Sequence, residues 1–237
     1  MVACINDAVG DDIKEDIVTS QLTTHNNTKF RIWDILYSKV HDDLTSFNCE
    51  AGISQRGPWQ MVVAYDNDTG LLFTFMREQR YKQLRNTANK RKRHHYLDAL
   101  AKIFNGQLSA PNGQTSLFPE QTFSDEDKMS ETVERIILSL STESTCIQNH
   151  VLVLFESFNF SLTSVRAIIV DSHLNSVYEQ SWNEYISINE SSVVDKVDEP
   201  NSPANNPSKG LKLTAKATAR KQSVALRKED TKQNNIG

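Results

Sequence analysis

The sequence predicts an α+β protein of about five mostly antiparallel strands packed with three or four helices, and three observations predict it. Trp59, Met61, Val63 and Tyr65 alternate with other residues, as do Leu71, Phe73 and Phe75, which is the period of a strand. Three more segments rich in Val, Ile, Leu and aromatics, His150–Ser157, Ser164–Asp171 and Ser176–Trp182, follow one another with short connections. Between these two groups the apolar residues recur at helical spacing. Separated runs of strand and helix of this kind favour α+β over a regular parallel alternation.

Taken in order, Ile5, Val9, Ile13 and Ile17 recur every four residues and predict an acidic amphipathic helix within residues 1–27. Asn27 or Thr28 can cap the next helix, which presents Trp33, Leu36, Tyr37, Val40 and Leu44 on one face. Gly52 to Pro58 reads as a break. Asp66-Asn67-Asp68-Thr69-Gly70 then joins two alternating strands into a β-hairpin. The chain is expected to leave the hairpin as helix, with an interruption at Asn86 to Asn89. Helix resumes around Lys90 and ends at Asn105-Gly106, with Leu97, Leu100, Ala101 and Phe104 on its apolar face. Pro111 to Pro119 reads as loop, and Ser124 with Asp127 forms a weak capping box before Met129, Val133, Ile136, Ile137 and Leu140. The last three strands form an antiparallel meander, with Ile168-Ile169-Val170 placing the middle one between two covered faces. Beyond residue 190 aromatics vanish and Pro200, Pro203 and Pro207 stand among Asn and Ser. Such a segment buries too little apolar surface to offset its ordering entropy, so residues 191–237 are expected to be a disordered tail on a single domain of residues 1–190.

Composition narrows the function classes. Hydrophobic residues make up 38% and charged residues 24% of 237, the balance of a soluble protein. The longest strongly apolar run, Val151 to Phe155, is far short of the ~20 residues a membrane helix needs, and the first twelve residues lack a secretory pattern. Three widely spaced cysteines without zinc spacing suit reduced thiols, so a cytoplasmic protein with no membrane partner and no cofactor is expected.

Charge is segregated. Arg77 to His95 holds eight Lys/Arg against the single acid Glu78, in a chain whose net charge is −4. Lys209 to Lys228 holds seven basic residues and no acid. Concentrated positive charge points to a polyanion or an acidic surface as partner.

Three blocks, GPWQMVVAYDNDTGLLFTFMRE (Gly57–Glu78), KRKRHHYLDALAKIFN (Lys90–Asn105) and LTSVRAIIVDSHLNSVYEQSW (Leu162–Trp182), resemble an uncharacterised family of bacterial and phage proteins that carries only a domain-of-unknown-function label. The resemblance covers roughly residues 30–186. It implies a cytoplasmic accessory protein of Gram-positive bacteria and their mobile elements. It implies no activity, cofactor or catalytic residue.

Site chemistry must therefore be read from the residues. Arg80, Lys82, Arg85, Lys90, Arg91, Lys92 and Arg93 can contact phosphates, and Tyr81 or Tyr96 can stack a base. In the tail Lys209, Lys212, Lys216 and Arg220 align on one side of a transient helix, with Lys221 beside them. The alternative is a basic surface docking an acidic protein partner, as an inhibitor or antitoxin-like module would. His94, His95 and Asp98 are the best metal constellation, but four adjacent cations oppose a divalent ion, and a metal-dependent hydrolase is the weaker reading. Asp66 to Gly70 lacks the later ligands of a calcium loop. Glu126-Asp127-Lys128 has the spacing of metal nucleases but opens a helix, where acids favour the dipole. Glu156 and Arg166 are expected to pair across neighbouring strands. Nucleophile and phosphate-loop motifs are missing. The expectation is a non-enzymatic protein that binds DNA or RNA through a basic helix.

Overall fold

A computed structural model describes residues 1–44, 47–56, 58–109 and 125–187. The fold is α+β. Among the described residues there are six α-helices, α1 (Val2–Val9), α2 (Asp11–Ser20), α3 (Thr28–Leu44), α4 (Glu78–Asn86), α5 (Tyr96–Asn105) and α6 (Glu126–Ile137). Six strands, β1 (Cys49–Arg56), β2 (Trp59–Asp66), β3 (Leu71–Arg77), β4 (Asn149–Phe158), β5 (Ser161–Val170) and β6 (Ser176–Ser181), lie in one sheet in sequence order. All neighbours are antiparallel except β3 and β4, which the long α4–α6 crossover makes parallel.

Helices cover both faces. Val62, Ala64, Phe73, Phe75, Val151 and Val153 pack against α1–α3. Their alternates Met61, Val63, Leu72, Leu152, Leu154 and Ile168 pack against α4–α6. This explains why β2 and β3 are buried at consecutive positions although their strongest residues alternate.

The expected N-terminal helix is two. At Gly10 the backbone leaves helical geometry, its N–H closing onto Asp7 O, and Asp11 and Asp12 then open α2 at its positive dipole end. α3 contributes Leu36 and Val40, both fully buried, to the core beside Ile5 and Ile13 of the first two helices. Lys39 bridges to Asp7 (3.4 Å) and Asp12 (3.0 Å), and Arg31 pairs with Asp16. Asp7, Asp12 and Asp16 are thus matched by α3.

The expected break at Gly52–Pro58 is instead mostly strand. β1 pairs with β2 along its whole length, from Cys49↔Asp66 to Arg56↔Trp59, which makes six strands rather than five. Gly52 is needed because the chain after α6 crosses it. A Cβ there would stand 2.3 Å from Ser139 Oγ and 2.7 Å from Ser139 O. We expect Gly52→Ala to destabilise by about 1–3 kcal/mol through overpacking against backbone, measured as a lower urea midpoint with an unchanged slope.

The hairpin turn is as expected. Gly70 takes φ +68°, and the Asp66 carboxylate accepts from Asp68 N–H and Thr69 Oγ. α6 begins at Glu126 with Asp125 as its cap; Ser124, assigned that role by sequence, lies outside the described residues, as do Pro111–Pro119 and the whole segment 191–237. The Glu156–Arg166 pair does not form. Glu156 lies opposite Ser164, while Arg166 reaches Glu78 and Glu179. No helix among the described residues is long and apolar enough to cross a membrane.

Candidate nucleic-acid interface

The sheet is not zipped evenly. β2 and β3 pair only at Ala64↔Phe73, Tyr65↔Leu72 and Asp66↔Leu71, next to their turn. β2 remains fully paired with β1, and β3 with β4 from Leu71↔Asn149 to Arg77↔Phe155. From Val63 and Thr74 onward the two strands therefore part, each following its outer neighbour. A cleft of about 810 Å³ opens where they separate, at the start of β2 and the end of β3.

Its floor is Met61 and Val62 from β2 with Phe75 and Met76 from β3. α3 forms one wall with Trp33, Asp34, Tyr37, His41 and Asp42. Arg77, Arg80, His95 and Tyr96 form the opposite wall. At the mouth Phe30 stacks on Trp59 (centroids 5.1 Å apart), and the two rings remain 51% and 56% exposed. Exposed stacked aromatics cost solvation and present a face on which a planar ligand can continue the stack.

Arg77 is the most informative group here. It closes β3, donates from Nη1 to Ser157 Oγ (2.8 Å) and lies 5.0 Å over the Phe155 ring. None of the ion pairs among the described residues involves it, and burial lowers its pKa from the usual guanidinium value. A half-buried guanidinium held by a hydroxyl and a ring, with no carboxylate beside it, favours an anionic ligand. Arg80, exposed on α4, adds a second cation to the same wall.

The basic segment leaves the hairpin as helix and is interrupted after Asn86 as expected, but helix does not resume at Lys90. α4 ends at Asn86, a 3-10 turn covers Ala88–Lys90, and Arg91 to His95 runs without helix until α5 starts at Tyr96. The cause is local. His95 caps α5, accepting Leu97 N–H on Nδ1, while the Asp98 carboxylate accepts His95 N–H (2.6 Å) in a capping box. Asp98 also takes a bidentate Arg91 (2.5 and 2.8 Å), which binds the preceding segment to the helix. His94 hydrogen-bonds Thr132 (3.0 Å). His94, His95 and Asp98 thus serve capping and packing. Among the described residues no group of three or more His, Cys, Asp or Glu is placed to hold a metal ion.

The expected phosphate-contacting residues consequently divide. Arg80 and Tyr96 line the cleft, and Lys90, Lys92 and Arg93 are exposed in the segment leading to His95. Lys82 pairs with Glu78 (3.3 Å), Arg85 donates to Asn175 (3.3 Å), and Arg91 is held by Asp98. Tyr81 is buried, with its hydroxyl donating to Leu174 O (2.8 Å) and burial pushing its pKa up to about 12, so it offers no stacking face. Lys209, Lys212, Lys216, Arg220 and Lys221 lie outside the described residues. Sequence reading missed Trp59, Phe30 and the special place of Arg77. One signal was available: Arg77 ends an apolar strand and has only Glu78 as a nearby acid, which turns to Arg166 instead.

Fold and cleft together define a helix-covered mixed sheet that parts at its centre to form a ligand-sized cavity. The chain belongs to DUF5986, a family of unknown function, whose pattern it matches over residues 1–230, a longer stretch than the blocks at 30–186. No curated protein and no solved structure matches it.

Proposed function

We propose that the protein binds single-stranded nucleic acid, and that the cleft between β2 and β3, rather than a continuous basic helix, is the site. The observation that carries this reading is Arg77, a half-buried cation with no carboxylate partner among the described residues, lining one cleft with Arg80 and an exposed aromatic stack. Arginines supply charge-assisted hydrogen bonds to phosphate oxygens, and Trp59 offers a stacking surface indifferent to base identity. Asp34 on the facing wall can accept from base amino groups. A duplex would keep its base faces stacked away from such a cleft, so one strand is the better fit. Lys90, Lys92 and Arg93 extend the positive surface beyond it.

Anisotropy of labelled single-stranded DNA and RNA across a salt series tests the reading. Affinity should fall steeply with salt. Arg77→Met should weaken binding about tenfold to a hundredfold, the worth of a hydrogen bond to a charged group. Trp59→Ala should cost about 1–3 kcal/mol. Lys92→Ala with Arg93→Ala should chiefly flatten the salt slope. Unchanged affinity in both Arg77→Met and Trp59→Ala would remove the cleft from the function.

A further inference from the structure

The order of groups along the cleft says which part of a strand enters it. Arg77 is the inner cation, tied to Ser157 and lying on Phe155 at the end of a fully paired β3. The Phe30–Trp59 stack is the outer element, more than half exposed. The floor beneath, Met61, Val62, Phe75 and Met76, is buried apolar surface. A ligand that satisfies both ends puts its anion inward and its ring outward.

An internal nucleotide fits this order badly. Its phosphate is a diester with chain leaving on both sides, so both arms of backbone would have to be accommodated beside Arg77 and the apolar floor. A terminal phosphate has chain on one side only. It also carries about −1.5 to −2 charges at neutral pH, against −1 for a diester, and so answers two guanidinium groups rather than one. The α3 wall supports the assignment. Asp34 and Asp42 repel phosphate there, with His41 between them in the same helix, so the anion is confined to the side of Arg77, Arg80 and His95.

We infer that the cleft recognises the phosphomonoester end of a single strand, Arg77 and Arg80 holding the terminal phosphate and Trp59 stacking the adjoining base. This rests on the nucleic-acid reading and sharpens it to one chemical group. A 5′ and a 3′ terminal phosphate share the chemistry, and the experiment separates them.

The test compares full-length protein with one oligonucleotide sequence in four forms at fixed salt: 5′-phosphate, 3′-phosphate, hydroxyl at both ends, and circular. One phosphorylated form should bind about tenfold tighter than the hydroxyl-ended and circular forms, about 1.4 kcal/mol. Arg77→Met should weaken the phosphorylated form about tenfold more than the hydroxyl-ended and circular forms, erasing that preference, and Arg77→Lys should restore part of it. A nucleoside monophosphate should compete where the nucleoside does not. Equal binding of all four forms would overturn end recognition and leave single-strand binding standing. Loss of binding in every form would overturn both.

Discussion

Replacing Arg166 by methionine is expected to destabilise the protein by about 3 kcal/mol at neutral pH, the cost of leaving a buried carboxylate with only the exposed Lys82 as partner. The carboxylate is Glu78, the first residue of α4, which is only 7% exposed. Arg166 grips it with two hydrogen bonds, Nε to Oε2 (3.0 Å) and Nη2 to Oε1 (2.7 Å), and pairs with Glu179 on β6 as well. The cluster thus fastens the start of α4 across β5 to the sheet edge. Burial pushes the Glu78 carboxyl up, but hydrogen bonds from Arg166 and then Lys82 outweigh it and hold the group below its ordinary range. Its folded pKa is therefore below the unfolded value of about 4.3. The stability it contributes is fully present above that pH and is lost as pH falls through the folded value. Adding Glu78→Met to Arg166→Met should recover most of the loss, because no buried charge then remains. Urea denaturation of the two single variants and the double variant checks this. Near-additive losses would show that the pair is not coupled.

Acid should destabilise the protein through His150 as well, beginning at a higher pH than for Glu78. His150 is completely buried on β4, with Nε2 2.8 Å from Thr74 Oγ and no hydrogen-bond partner at Nδ1 among the described residues. Burial lowers its pKa to about 3. An unfolded histidine titrates near 6.5. Between those values the unfolded chain binds a proton that the native state refuses, so stability rises with pH and falls as pH drops. The loss should begin near pH 6.5, reach about 3 kcal/mol by pH 4, and level off below the folded pKa. The double variant Thr74→Val, His150→Leu removes the titrating ring and the hydroxyl that would otherwise be stranded. Its stability should be much flatter between pH 6.5 and 4. A slope equal to that of the parent protein there would assign the acid sensitivity elsewhere. The same region is pinned by Asn105, whose side-chain amide donates to His150 O (2.9 Å) and Val170 O (3.0 Å), so an opening at His150 would be felt in both β4 and β5.

Much of the fold could be read locally. The hairpin around Asp66–Gly70 was legible because turn chemistry and alternation sit within a few residues of each other. The end of α5 at Asn105-Gly106 and the antiparallel run β4–β6 were legible for the same reason. β1 was not. Cys49–Arg56 has few large apolar residues, and it is a strand because β2 supplies a complete pairing partner and the chain after α6 closes over Gly52. The basic run misled in a similar way. Its composition permits helix, but the His95–Asp98 capping box and the Arg91–Asp98 pair start the helix at Tyr96.

The sequence by itself determined the α+β class, most element positions, the membership of charged residues in one basic segment and the want of local catalytic motifs. These follow from periodicity, turn residues and spacing, all of which act over a few residues. Only the tertiary structure decided which cations face the cleft. Lys82, Arg85 and Arg91 look like Arg80 and Lys92 in sequence, yet Glu78, Asn175 and Asp98 engage them. The cleft itself follows from β2 and β3 each staying paired with an outer neighbour while parting from one another. That choice is made by partners up to the length of the crossover away, and no local pattern encodes it.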